Sequence, residues 1–216
     1  MNNIQEIKVI NFPVVIFSDS HCNLKNLKEL KRSYFTNQFI CLGDFTYLFT
    51  KKGELFNQYS IEYFIDNKIP TLTGNHESHI VGCITGNSFR PIKIFGQFDE
   101  GMSSEDLDIY DLTQQHIDYL KTLPIGFKLI LPDNSNYLCF HNTPNDLWGY
   151  NDDMDKNKFL NTYPIDKNTT EVIIGHHHKN FKVDFLNVIS KLRGIGALRD
   201  GFYALLTENG IEIKKL

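Results

Sequence analysis

The 216-residue sequence has no apolar run approaching the roughly 20 residues of a membrane-spanning helix, so no membrane partner is expected. Cysteine is scarce: Cys22, Cys41, Cys83 and Cys139 form no C-x-x-C pair. Cys41 and Cys139 lie inside apolar runs and read as small buried residues, and Cys22 reads as a spectator beside His21. A reducing cytoplasm is the expected compartment. An excess of positive charge is also missing. The net charge of −4 and pI near 6.0 argue against a protein held on long nucleic acid by bulk basicity. No basic stretch followed by an apolar core opens the chain, so no signal peptide is expected. Nor does a linker, internal repeat or low-complexity tract divide it. With 41% hydrophobic and 22% charged residues, residues 1–216 are expected to form one domain.

What is present is a series of apolar runs separated by helical patterns. Residues 4–10 read as a short edge strand or a loose leader. A strand is expected at 13–18, then a helix capped by Asn23 and running to about Tyr34. A second strand covers 39–42, and a helix about 53–67 places Leu55, Phe56, Tyr59, Tyr63 and Phe64 on its inner side. The stretch I-P-T-L-T-G-N-H-E at 69–77 reads as a third strand, with Gly74 permitting a turn. Residues 80–105 read as a long loop, with a possible strand at 92–95. A helix capped by Thr113 ends before Pro124. Strands at 126–131 and 137–140 form a hairpin around P-D-N-S-N. After an irregular segment at 142–163, strands are expected at 172–174, 181–189, 202–207 and 211–215. This order, α/β first and then mostly β, predicts two packed sheets flanked by helices.

Five of the apolar runs end in a residue type that binds metal. V-V-I-F-S-D-S-H delivers Asp19 and His21, F-I-C-L-G-D delivers Asp44, and the 69–77 stretch delivers Asn75 and His76. Y-L-C-F-H ends at His141, and V-I-I-G-H-H-H supplies His176, His177 and His178. Open α/β sheets place their sites at such strand ends, so the five point to one site. Two metal ions a few Å apart need hard or borderline ligands and a bridging carboxylate. Asp19, His21, Asp44, Asn75, His141, His176 and His178 supply that set. With no thiolate among them, a structural zinc site is disfavoured. Water held between two such ions is acidic enough to attack phosphorus in line near neutral pH.

The set D-S-H, G-D, G-N-H-E, H and G-H-H-H resembles the calcineurin-like metallophosphoesterases, whose pattern is D-x-H, G-D, G-N-H-D/E, H and G-H-x-H. L-T-Q-Q-H-I-D-Y-L-K-T-L-P, H-N-T-P-N-D-L-W-G-Y and G-A-L-R-D-G-F-Y-A-L-L are similar to landmarks of the small single-domain bacterial and archaeal branch. The resemblance runs from about residue 13 to the end. It implies the αββα fold and two divalent ions, manganese, iron or zinc. One ion would take Asp19, His21, Asp44 and His178, and the other Asp44, Asn75, His141 and His176, with Asp44 as the bridge. His76 would protonate the leaving group or stabilise a phosphate oxygen. His177 is expected to be exposed and not a ligand.

Three departures from the pattern bear on substrate. Protein Ser/Thr phosphatases of the superfamily read G-D-x-V-D-R-G, with an arginine that clamps phosphate. Here Tyr47 and Leu48 replace its Asp-Arg pair. Asn142 stands where glycine usually follows the fourth-motif histidine. L-R-G-I-G-A replaces an N-P-G-S-like turn, leaving Arg193 or Arg199 as a candidate phosphate contact or a surface ion pair. The resemblance therefore implies a phosphoesterase acting on small phosphate esters, nucleotides among them, with phosphodiesters slightly favoured. A phosphomonoesterase or protein phosphatase, and a non-catalytic scaffold of the same fold, are the alternatives. Trp148, Tyr150 and Phe89 are candidates to stack on an aromatic ester group.

Overall fold

β-Branched and aromatic runs build two mixed β-sheets in the computed structural model, which describes residues 4–35, 37–48, 55–85, 112–142, 165, 167–184 and 191–216. The strands are β1 Ile4–Lys8, β2 Val14–Phe17, β3 Phe39–Cys41, β4 Gly126–Ile130, β5 Asn136–Phe140, β6 Thr169–Ile174, β7 Asn180–Asp184, β8 Lys191–Ile195, β9 Phe202–Thr207 and β10 Gly210–Lys215. One sheet has the order β1-β4-β5-β6-β8-β7 and the other β10-β9-β2-β3. The helices are α1 Leu24–Ser33, α2 Phe56–Asp66, α3 Asn75–Thr85 and α4 Gln114–Thr122. Among the described residues no helix is long and apolar enough to cross a membrane.

Strand β2 is buried along its whole length, and the two-residue period of a strand divides it between two cores. Val14 and Ile16 join Ile40, Phe127, Leu129, Ile173 and Leu206 between the sheets. Val15 and Phe17 face the helices, meeting Leu27 and Leu30 of α1, Ile61 and Phe64 of α2, Ile80 of α3 and Leu120 of α4. The Phe64 ring lies 6.1 Å from that of Phe17 and 4.3 Å from that of Phe45. Burying such a ring contributes about 1.5–3 kcal/mol, so α2 is held firmly over the ends of β2 and β3.

The helix caps match their residue types. Asn23 accepts from the Asn26 amide at α1, and Thr113 and His116 form a reciprocal capping box at α4. β4 and β5 form the expected antiparallel hairpin, and β9 and β10 pair across the Glu-Asn-Gly turn. Residues 4–8 resolve as a strand, parallel to β4 at the sheet edge.

Other elements differ from the sequence reading. Among the described residues the 69–74 run makes only one bridge, Thr71 to Cys41. Pro70 offers no N–H and the chain turns into α3 at Asn75, leaving no room for a ladder. Residues 80–85 are the second half of α3 rather than loop, because Ile80 reaches the helical core. The 92–95 strand and most of both loops lie outside the described residues. On α2 the buried face is Asn57, Ser60, Ile61 and Phe64, while Phe56 and Tyr59 are exposed. Its two polar members are buried because they bond the chain after β3: Ser60 donates to the Phe45 carbonyl, and Asn57 brackets Tyr47. β7 spans Asn180–Asp184, and residues 185–189 of the expected strand lie outside the described residues. L-R-G-I belongs to β8, a strand the sequence reading did not include, parallel to β6. Its Arg193 is accommodated by two hydrogen bonds to Glu171, at 2.7 and 3.0 Å.

Candidate metal centre

The side chains gather at the C-terminal ends of β2, β3, β5 and β6, where both sheets come together, and at the first turn of α3. Apolar alternation stops there and tight turns begin. Asp19, His21, Asp44, His176 and His178 all take φ between 43° and 59°. Asp and His tolerate this left-handed region better than most residues, at a cost of order 1–3 kcal/mol each. The turns let residues two apart, Asp19 with His21 and His176 with His178, converge. The main chain ties the two sheets across the site: the His176 amide donates to Asp19 Oδ2 at 2.9 Å, and His141 Nδ1 to the Leu42 carbonyl at 2.8 Å. Gly175 is required by close approach, since a Cβ there would run into Ser18 and lie 2.9 Å from Asp19 Oδ2.

Among the described residues, three overlapping groups have donor atoms within 4.8 Å of one another: Asp19, His21 and His178; His21, Asp44 and His76; and Asp44, His141 and His176. His178 Nε2 lies 3.1 Å from both Asp19 Oδ1 and His21 Nε2. Asp44 Oδ2 lies 3.3 Å from His141 Nε2 and 3.5 Å from His76 Nε2. Asn75 Oδ1 lies 2.9 Å from both His141 Nε2 and His176 Nδ1. Asp19 and Asp44 are buried, and among the described residues neither pairs with a lysine or arginine. Burial of a carboxylate without a fixed cation is expensive, so this pocket of nitrogen and oxygen donors fits divalent cations.

Burial and neighbouring charge set the ionisation of this cluster. Burial pushes the Asp19 carboxyl up, but the His178 hydrogen bond and the neighbouring His141 bring it below its ordinary range. Asp44 is likewise lowered overall, against its burial, chiefly by His141 and His76. Burial lowers His21 and His176 to about 4, helped by His76 and His141 respectively, which leaves both imidazoles neutral. For His141 burial is outweighed by the Asp44 charge and hydrogen bond, and its value rises to about 9.

Glu77 is the residue the sequence reading left without a role. It is fully buried and accepts from four donors: the amides of Gly74, Asp44 and Thr46 at 2.8, 2.9 and 3.0 Å, and the Thr46 hydroxyl at 2.8 Å. The Thr46 carbonyl in turn receives His76 Nδ1 at 2.8 Å and His21 Nδ1 at 3.4 Å. Both rings are thereby turned with Nε2 toward the cluster. Its position after His76 was the only available signal, and that does not reveal a partner 31 residues away.

The remaining expected residues fall around this centre. Arg199 bonds Asp19 through the backbone at 3.2 Å, while its side chain is exposed with Nε 3.8 Å from Asp200. His177 is half-buried rather than exposed, with Nε2 3.3 Å from Asn142 Oδ1. Asn142 is buried without a positive φ, so glycine is not needed there. Tyr47 stacks on His21 and Leu48 follows it. Phe89, Trp148 and Tyr150 lie outside the described residues.

The family model for calcineurin-like phosphoesterases matches residues 12–213. A metallophosphoesterase from Sphaerobacter thermophilus is similar in structure, with a TM-score of 0.62 at 17% identity over 96% of this chain and 89% of that one. A hypothetical protein from Pyrococcus horikoshii OT3 has a TM-score of 0.65 at 12% identity, over 94% and 87%. A putative diadenosine tetraphosphatase has a TM-score of 0.60 at 13% identity, covering 100% and 98%. No curated protein matches the sequence significantly. The family match over nearly the whole chain joins the two-sheet fold and its donor cluster in one conclusion. This chain belongs to the calcineurin-like phosphoesterases and is a metal-dependent phosphoester hydrolase.

Proposed function

We propose that the chain hydrolyses phosphodiesters at a centre of two divalent ions, manganese, iron or zinc. One ion is held by Asp19, His21, Asp44 and His178, and the other by Asp44, Asn75, His141 and His176. The observation that carries this reading is the pair of buried aspartates, ringed by histidine and, among the described residues, without a lysine or arginine partner. Two of the three donor groups contain Asp44, which supports it as the shared ligand. Bound there, the ions supply Lewis acidity, polarising phosphoryl oxygens and acidifying water.

The protein's own groups do the rest. Asn75 and His76 sit together at the start of α3 and are the side chains assigned to the phosphate. His76 has its Nδ1 committed to Thr46, so Nε2 is the atom that holds a proton for the leaving oxygen. At 14% exposure it is the more open of the two partners in its contact with Asp44. Preference for a diester is supported by Tyr47 and Leu48, which offer no guanidinium to a monoester dianion, and by the outward Arg199. The structural relative described as a putative diadenosine tetraphosphatase makes nucleotide esters the first class to try.

The test is metal-stripped protein reloaded with Mn²⁺ and offered bis-p-nitrophenyl phosphate and p-nitrophenyl phosphate. Faster diester cleavage is expected. Faster monoester cleavage would make the chain a phosphomonoesterase or protein phosphatase. Inertness toward both, with metal bound, would make it a scaffold.

A further inference from the structure

Tyr47 follows the Asp44 turn, and its main chain is held from both sides by one side chain. Its N–H donates to Asn57 Oδ1 at 2.8 Å, and its carbonyl accepts from Asn57 Nδ2 at 3.2 Å. Asn57 is fully buried in the first turn of α2, which itself is packed on the core through Ile61 and Phe64. Thr46, immediately before, is pinned by Glu77. The backbone at Tyr47 is therefore held by side-chain hydrogen bonds, although it lies in a loop.

The side chain on this fixed backbone is left 38% exposed. Its ring stacks on that of His21, with centroids 5.8 Å apart and planes 22° apart. His21 in turn lies 4.6 Å from the His76 ring and 5.1 Å from the His178 ring, so Tyr47 borders the reacting centre. A rigid aromatic surface, partly open to solvent beside a phosphate-binding centre, is what an aromatic ester group needs in order to stack.

We propose that Tyr47 is a specificity-determining residue: a pre-organised platform on which a nucleobase or aryl substituent of the phosphate ester stacks. The proposal rests on the phosphoesterase reading and names the substrate class within it. Alkyl phosphate esters fill the phosphate position and leave the platform bare.

Binding separates the two parts. Adenosine 5′-monophosphate and ribose 5-phosphate share the phosphate and the sugar and differ in the base. Calorimetric titration of Mn²⁺-loaded protein is expected to show the nucleotide bound about tenfold more tightly. Tyr47→Ala should bring the two ligands to within about twofold by weakening the nucleotide alone, and Tyr47→Phe should keep most of the preference. Phe35→Ala removes an exposed aromatic at the opposite end of β3 and should change neither. A nucleotide preference that survives Tyr47→Ala, or its absence in the unaltered protein, overturns the platform. If diester turnover is intact in either case, the phosphoesterase reading stands without it. A metal-loaded protein that neither turns over diester nor binds either ligand removes both.

Discussion

Glu77 accepts the amide and the hydroxyl of Thr46 through a single oxygen, at 3.0 and 2.8 Å, while the Thr46 carbonyl orients His76. A buried carboxylate thus sets the direction of an imidazole it does not touch. Burial and the Asp44 charge raise its own value, and His76, the Thr46 hydrogen bond and His141 offset part of that. In Glu77→Gln an amide NH₂ would face N–H donors. We expect a loss of about 1–3 kcal/mol in stability and at least about tenfold in metal affinity. Thermal unfolding and Mn²⁺ titration measure the two. Wild-type values for both would show that the bonds to Thr46 have no consequence.

Gly175→Ala should be worse for the metal than for the fold. The new Cβ would meet Ser18 and press toward Asp19 Oδ2, displacing a ligand held by the His176 amide. The expected result is a folded protein, by far-UV circular dichroism, whose Mn²⁺ affinity falls about tenfold or more. Unchanged affinity would mean that Asp19 is not held where metal binding needs it.

Metal loading should be coupled to proton release at His141. Burial disfavours its charged form, but the charge and hydrogen bond of Asp44 win, and it keeps its proton up to about 9 against an ordinary 6.5. A metal ion must displace that proton from Nε2. Mn²⁺ affinity should therefore rise about tenfold per pH unit from neutrality and level off above about 9. For metal-free protein the raised value adds stability that is full below 6.5 and lost as pH rises through about 9. Calorimetry in buffers of different ionisation enthalpy, and Tm against pH, read these effects. An affinity flat across that range would contradict the role given to His141.

The strand ends were legible because Asp19, Asp44, His141 and His176 each follow an apolar run directly or after one small residue, and the two-sheet fold follows from those same runs. Partners chosen by tertiary contact were not. Asn57 and Ser60 were not among the inner-side residues expected of α2, and only the loop they bond makes their burial tolerable. β8 was hidden because Lys191 and Arg193 break its apolar pattern, and the charge of Arg193 is answered by Glu171 from the neighbouring strand. The run at 69–74 looks like a strand by composition yet has a single bridge among the described residues, since pairing is a property of two segments and not of one.

In the proposed centre Asp44 is shared by two metal ions that the chain needs for turnover. Asp44→Asn keeps the shape of the side chain and removes the charge. Metal content after Mn²⁺ loading and gel filtration, paired with bis-p-nitrophenyl phosphate turnover, tests it most directly. The unaltered chain should hold two equivalents, and the variant one or none with turnover down by about a hundredfold or more. A variant that holds two ions and turns over at the unaltered rate would contradict the account.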